Sequence, residues 1–319
     1  MNILIVKMSS LGDVIQTIPV VQDLRKQFPD ANIDWVVEEA FAPLVHRVTG
    51  VRRVLPLAQR RWRKARWSET TRRERRHFDQ TLKQQTYDAV IDFQGLIKSA
   101  LEARCARLHP DGFSATYGNR SEACGYEWPV QLLLQRKLPM PARIHAVARY
   151  RLLAGLAMGY EPQGQAAYPL SRAIPTQPST VVFAHGTTRP DNEWKEADWV
   201  TLGQRLINAG QRIALPHANA REQALVSRIA HALGDSAEIW PRASLPEIMD
   251  RMALCRGVVG VDSGLSHMAV ALNLPHVQIF SQPRAWRAGP VGCSHQVAVG
   301  GERAPDVDTV WNAWQRVIQ

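Results

Sequence analysis

The sequence predicts an α/β protein made of two doubly wound halves with mostly parallel sheets. Three observations carry that reading. Short apolar runs alternate with amphipathic stretches along the whole chain. The alternation starts afresh near Thr180. The length of 319 residues, 45% of them hydrophobic, is enough for two cores. In the first half, the apolar run at 3–6 reads as a strand, 12–28 as a helix and 33–37 as a second strand. A buried strand at 87–92 then leads through Gly95 into a helix ending near Arg107. In the second half, 181–184, 212–215, 258–261 and 277–280 read as strands. The stretches 196–209, 221–233, 245–254, 265–272 and 307–318 read as the helices between and after them. Between the halves, residues 161–178 hold four prolines and little apolar periodicity, as a linker does. Two such halves are expected to bind a ligand between them, at the C-terminal ends of their strands.

Composition narrows the function. There are 39 Lys and Arg against 29 Asp and Glu, a net charge of +10, which implies an anionic partner. Much of the excess sits in RRWRKARWSETTRRERR at 60–76, where nine basic residues face two glutamates and contribute +7. Four widely spaced cysteines form neither a C-x-x-C pattern nor a disulfide framework, so a reducing, cytoplasmic setting is expected. The N-terminal apolar run is four residues long, too short for a signal-peptide core or a membrane span.

Three turns at strand ends are candidate sites. Lys7-Met-Ser-Ser-Leu-Gly-Asp13 is neither a dinucleotide fingerprint nor a phosphate-binding P-loop. It presents backbone N–H groups and one carboxylate at a helix start, so Asp13 either caps the helix or serves as a general base. As a base it would need a raised pKa. Asp262, Ser263 and Gly264 open a second helix, where Gly264 allows close approach and the free N–H groups suit a phosphate. His267 is either a phosphate donor or a packing residue. After the strand at 181–184, Thr187 and Thr188 offer hydroxyls, and Arg189 or Lys195 offers charge for a diphosphate. The basic segment with Trp62 and Trp67 fits a solvated surface, nucleic acid, or a phosphorylated amphiphile at a membrane surface. Asp306-Val-Asp308 spells D-x-D but precedes the last helix, where it reads as a cap, and no cluster has metal-ligand spacing.

Six blocks together carry a family resemblance: KMSSLGDVIQTIP at 7–19, WVVEEAF at 35–41, RRWRKARW at 60–67, YDAVIDFQGLIKSA at 87–100, HGTTRPDNEW at 185–194 and VDSGLSHMAVAL at 261–272. In these the chain resembles the lipopolysaccharide heptosyltransferases of glycosyltransferase family 9, type I rather than type II by the RRWRKARW block. The resemblance implies a GT-B fold of two Rossmann-like domains. Residues 1–170 would bind the acceptor and 171–319 the donor ADP-heptose, with the last helix packing back on the first domain. It implies transfer of L-glycero-D-manno-heptose to the Kdo of Kdo2-lipid A, with inversion and no metal or other cofactor. Asp13 would be the catalytic base, with Ser10 and Gly12 of the same turn near the acceptor. Arg60, Arg61, Arg63, Lys64 and Arg120 would grip the anionic acceptor. Thr187, Thr188, Glu222, Ala243, Asp262, Ser263, Gly264 and His267 would hold the donor, Glu222 at the ribose and Ala243 at the adenine. Where the family usually has a lysine near the diphosphate this chain has Asn192, and Lys195 or Arg189 would replace its charge. The partners implied are ADP-heptose, Kdo2-lipid A and the anionic inner-membrane surface on its cytoplasmic face, with no nucleic acid. The competing expectation is a nucleotide- or nucleic-acid-binding protein without transferase activity.

Overall fold

A computed structural model describes residues 1–122, 124–170 and 177–319, the side chains of Gln177 and Pro178 excepted. Part of the expected linker, 171–176, lies outside the described residues. The chain divides into two compact units, Met1–Ser171 and Arg172–Gln319.

The first unit runs β1 (Asn2–Val6), α1 (Leu11–Gln27), β2 (Asn32–Glu38), α2 (Ala42–Val45), β3 (Val51–Leu57), α3 (Gln59–Lys64) and α4 (Glu69–Lys83). It continues through β4 (Thr86–Asp92), α5 (Ile97–Cys105), β5 (Arg107–Tyr117), α6 (Val130–Leu133), β6 (Arg136–Leu138) and α7 (Ala146–Met158). Its sheet has the order β3-β2-β1-β4-β5-β6, with every pair parallel. Ile3, Leu4, Ile5 and Val6 are fully buried, because a parallel sheet covered by helices on both faces hides both sides of its central strand. Helix α1 is locked to α7 by a bidentate pair in which Arg151 Nε and Nη2 donate to Asp23 at 2.7 and 2.9 Å. The described part of the expected linker belongs to this unit, since Thr49 N donates to Pro169 O and Leu170 bridges Val48.

The second unit runs β7 (Gln177–Ala184), α8 (Glu196–Asn208), β8 (Arg212–Leu215), α9 (Ala220–Leu233), β9 (Ala237–Ile239), α10 (Leu245–Ala253) and β10 (Cys255–Val261). Then come α11 (Gly264–Ala271), β11 (His276–Phe280), α12 (Ala285–Ala288), β12 (Gln296–Gly300) and α13 (Val307–Val317). The sheet order is β12-β11-β10-β7-β8-β9, again all parallel. Read from the other edge, it repeats the order of the first sheet, the Rossmann order that reverses direction between its two central strands. Gly260 is required at the centre: a Cβ there would stand 2.5 Å from Ser266 Oγ and 2.6 Å from Ala184 Cβ.

The last helix packs within the second unit. Val310, Ala313, Trp314 and Val317 belong to the second unit's own core, and α13 packs on β11, β12 and α8. These four residues turn one face of α13 into that core. Asp306 caps this helix, accepting from Thr309 N at 2.8 Å, so the D-x-D string has a local structural use.

Candidate active site

In each unit the polar turns follow the two central strands, where the sheet order reverses and open α/β sheets place their ligands. In the first unit, β1 ends in Lys7 and the turn to Asp13, and β4 ends in Asp92. Asp13 both caps and faces outward. Its Oδ2 accepts from Ser10 N at 3.1 Å and Ser10 Oγ at 2.8 Å, while Oδ1 accepts from Tyr150 Oη at 2.7 Å and lies 3.8 Å from Lys7 Nζ. The carboxylate keeps 29% exposure, whereas the Lys7 side chain has 4%. Burial pushes the Asp13 pKa up, but the Lys7 charge and the bonds from Tyr150 and Ser10 outweigh it and hold the group well below the usual carboxylate range. This corrects the expectation of a raised pKa. Burial lowers the Lys7 pKa, against the pull of Asp13.

A second carboxylate braces the same turn. Asp92 is fully buried and accepts from Gln94 N at 2.9 Å, Ser99 Oγ at 3.0 Å and Gly95 N at 3.3 Å. Gln94 Oε1 accepts from Ser9 N at 3.2 Å, and Phe93 O accepts from Lys7 Nζ at 3.2 Å. The β4 turn thus fixes Lys7 and Ser9, at the start of the turn that leads to Asp13. Burial pushes Asp92 up to about 6, despite those hydrogen bonds.

The basic segment forms α3 and α4 beside this turn. A groove of about 550 Å³ is walled by Ser9, Arg60, Arg63, Arg66, Arg75 and Lys98 among others, so it joins the Asp13 turn to the basic helices. The sequence-predicted cations behave differently within it. Arg60 and Arg63 line it. Arg61 turns instead to Glu39 and Glu74, at 2.9 and 2.8 Å, which raise its pKa and leave it in a local ion network. Lys64 ends α3 and Arg120 follows β5, both exposed and neither among the groove's walls. Ser10 and Gly12 stay with Asp13, Ser10 at the N-cap of α1. Trp62 is buried, donating from Nε1 to Glu74 Oε2 at 2.7 Å, so it is a packing residue.

In the second unit, the turn after β7 meets the turn after β10. Thr187 Oγ1 donates to Asp262 O at 3.4 Å, and Asn192 Nδ2 to Asp262 Oδ2 at 3.3 Å. Asp262 Oδ1 takes Gln278 Nε2 at 3.4 Å and lies 3.5 Å from His267 Nε2. Burial raises the Asp262 pKa, but His267, Arg287 and Arg189 overcome this and lower it. Ser263 caps α11 by accepting from Ser266 N, which places Gly264 at the first helical position. Thr188 is exposed in the β7 turn, and Lys195 is exposed at the N-cap of α8. Of the two cations offered in place of the family lysine, Arg189 therefore acts on Asp262, together with Arg287, which the sequence reading missed.

Glu222 begins α9 and accepts from Ala218 N at 2.7 Å and Asn219 Nδ2 at 2.8 Å, its carboxylate resting over Gly186. A Cβ on Gly186 would lie 3.1 Å from that carboxylate. Each oxygen keeps a lone pair for a further donor. Ala243, half-buried, directly precedes the N-cap of α10. Among the described residues no group of three or more His, Cys, Asp or Glu is gathered as for a metal.

The sequence and architecture match glycosyltransferase family 9 (heptosyltransferase) over residues 75–310, and the chain belongs to that family. It is a glycosyltransferase of the GT-B class. Among named relatives, the chain is 36% identical over 312 residues to lipopolysaccharide heptosyltransferase 1 of Escherichia coli K12, covering 96% of this chain and 94% of that one. The solved E. coli heptosyltransferase WaaC with ADP superposes with a TM-score of 0.87 at 35% identity, covering 100% and 99% of the two chains. The same enzyme with ADP-2-deoxy-2-fluoro heptose gives 0.81 at 35% identity, covering 100% and 99%. The type 2 enzyme of E. coli K12 is similar at only 23% identity over 296 residues.

Proposed function

We propose that this protein transfers L-glycero-D-manno-heptose from ADP-heptose to a Kdo hydroxyl of Kdo2-lipid A, with inversion, in building the lipopolysaccharide inner core. The observation that carries the reading is the ionised Asp13 carboxylate, set at the reversal point of the first sheet in the turn whose Ser9 lines the basic groove. The second unit supplies the donor site, with Glu222 at the ribose, Ala243 at the adenine, and Thr187, Thr188, Ser263 and Gly264 around the diphosphate. Arg189 and Arg287, whose charges act on Asp262, supply the charge that Asn192 lacks. Asp262 and His267 hold these turns together.

The reaction is one displacement. The acceptor oxygen forms a bond to the anomeric carbon as the bond from that carbon to the β-phosphate oxygen breaks. The leaving electron pair stays on ADP, and the hydroxyl proton passes to Asp13 and then to water. A diphosphate is a good leaving group, so stabilising its charge matters more than protonating it. Asp13 starts as a weak base because Tyr150, Ser10 and Lys7 stabilise its charge. Turning one of those donors toward the substrate would raise its proton affinity as the hydroxyl loses its proton.

The basic groove suits an acceptor rich in phosphate and carboxylate. No described helix is long and apolar enough to cross a membrane. We read the protein as acting from the cytoplasmic side, in peripheral contact with the anionic inner membrane where a lipid-anchored acceptor resides. The test is incubation with ADP-heptose and de-acylated Kdo2-lipid A, following ADP release and the mass of the glycosylated acceptor. A match of one ADP per heptose transferred is expected, and no transfer would overturn the assignment.

A further inference from the structure

The first unit carries a surface feature that the reaction does not use. Ile97 and Leu101 stand four residues apart on α5, and Trp128 and Leu132 stand four apart in the turn that opens α6 and on α6 itself. All four are exposed, Trp128 at 68% and Leu132 at 74%. Side chains at this spacing share one face of a helical segment. The two segments adjoin, since α5 packs against α6 and Ile97 N donates to Glu127 Oε2 at 2.6 Å. The result is a paired apolar face in a chain whose other large apolar side chains are mostly buried.

Its surroundings select an occupant. Lys98 follows Ile97 and lines the basic groove, and Arg104 is exposed three residues beyond Leu101. The nearby Glu127 carboxylate is engaged by the backbone of α5. Apolar side chains with a tryptophan, beside cations, complement the boundary between anionic headgroups and hydrocarbon. We propose that the α5–α6 face is the element by which the protein rests on an anionic bilayer. Ile97, Leu101, Trp128 and Leu132 enter the interface while Lys98 and Arg104 meet lipid phosphates. Lys98 joins this face to the groove, so an acceptor anchored in the same bilayer reaches Asp13 head first. The inference rests on the reading of the acceptor as lipid-anchored.

The experiment is co-sedimentation of the full chain with phosphatidylcholine vesicles and with vesicles of equal phosphatidylcholine and phosphatidylglycerol. A Trp128→Ser/Leu132→Ser variant is compared with the conservative Trp128→Phe/Leu132→Ile. Heptose transfer to the de-acylated, soluble acceptor is measured in parallel. The wild type should partition onto the anionic vesicles. The serine variant should lose about tenfold or more of that partitioning, while the conservative variant retains it and both keep soluble-acceptor turnover. Equal partitioning of the serine variant would overturn the proposal by leaving binding to the basic helices alone. A wild type that transfers heptose but ignores vesicles would overturn it and leave the proposed function standing. A wild-type dimer dissolved by the serine substitutions would also overturn it, since the face would then be covered by a second copy. Vesicle binding that depends on these side chains, without heptose transfer, would uphold the surface and sink the functional reading.

Discussion

Asp13 divides its two oxygens between the Ser10 cap and the buried Tyr150 and Lys7 while keeping part of its surface exposed, so removing it tests both its capping and its chemical use. Asp13→Ala is expected to lose at least about 10²-fold in kcat with ADP affinity unchanged, read by steady-state kinetics beside calorimetric titration. Near-normal turnover would reduce Asp13 to its capping bond with Ser10. Asp92 gives a second test with its own sign. Its folded pKa of about 6 lies above the ordinary 3.8, so the stability it confers is full below about pH 4 and disappears as pH rises through about 6. Thermal melts of the wild type and Asp92→Asn should therefore show the mutant gaining relative stability from pH 4 to 7, by a few kcal/mol at most. A constant difference would mean Asp92 does not titrate in that window. In the second unit, Arg189→Ala should weaken ADP binding about tenfold while Lys195→Ala barely changes it, as titration calorimetry can check. The place of Asp13 was legible in the sequence because it follows an apolar run and opens a helix. Its electrostatics were not, because Tyr150 lies 137 residues away and the buried cation of Lys7 reads as an ordinary strand end.

The α3–α4 element separates cations that line a groove from cations that hold the protein together. Arg63→Ala should raise the acceptor KM about tenfold at low salt, with the effect shrinking as salt is added. Arg61→Ala should leave KM closer to normal, because its guanidinium is already paired with Glu39 and Glu74. A salt-independent change at Arg63 would argue against an electrostatic grip. A run of charge announces such an element, but its spacing cannot say which arginine finds a carboxylate from a distant strand. Other elements left weaker traces. Strand β3 lies at the sheet edge and carries Arg52, Arg53 and Pro56, and β5 starts with exposed His109, Pro110 and Asp111, so neither shows a clean apolar run. Helix α7 is buried almost all round, which erases the two-faced pattern that marks a surface helix. Yet α7 carries Tyr150 to the site.

Among the described residues, the first unit has a core around Leu4, Val36 and Tyr87 and the second one around Phe183, Trp199 and Trp314. Denaturant should therefore expose two cooperative steps by fluorescence and circular dichroism. Trp314→Ala should lower only the second unit's step, by about 3–5 kcal/mol, and ADP at a hundredfold its Kd should raise that same step by about 2.7 kcal/mol. A single shared transition, or a shift in both steps, would count against independent cores. The repeated strand rhythm made both sheets legible. Since the two sheets share one strand order, their differences are confined to the connections. The first unit spends residues 58–85 between β3 and β4 on basic helices, where the second has only α10 in the matching crossover. On the proposed assignment of the acceptor to the first unit and the nucleotide to the second, such a layout would let selection exchange one cassette to change what receives the sugar while the other half keeps its customer, a division of labour that chimeras between relatives could exploit directly.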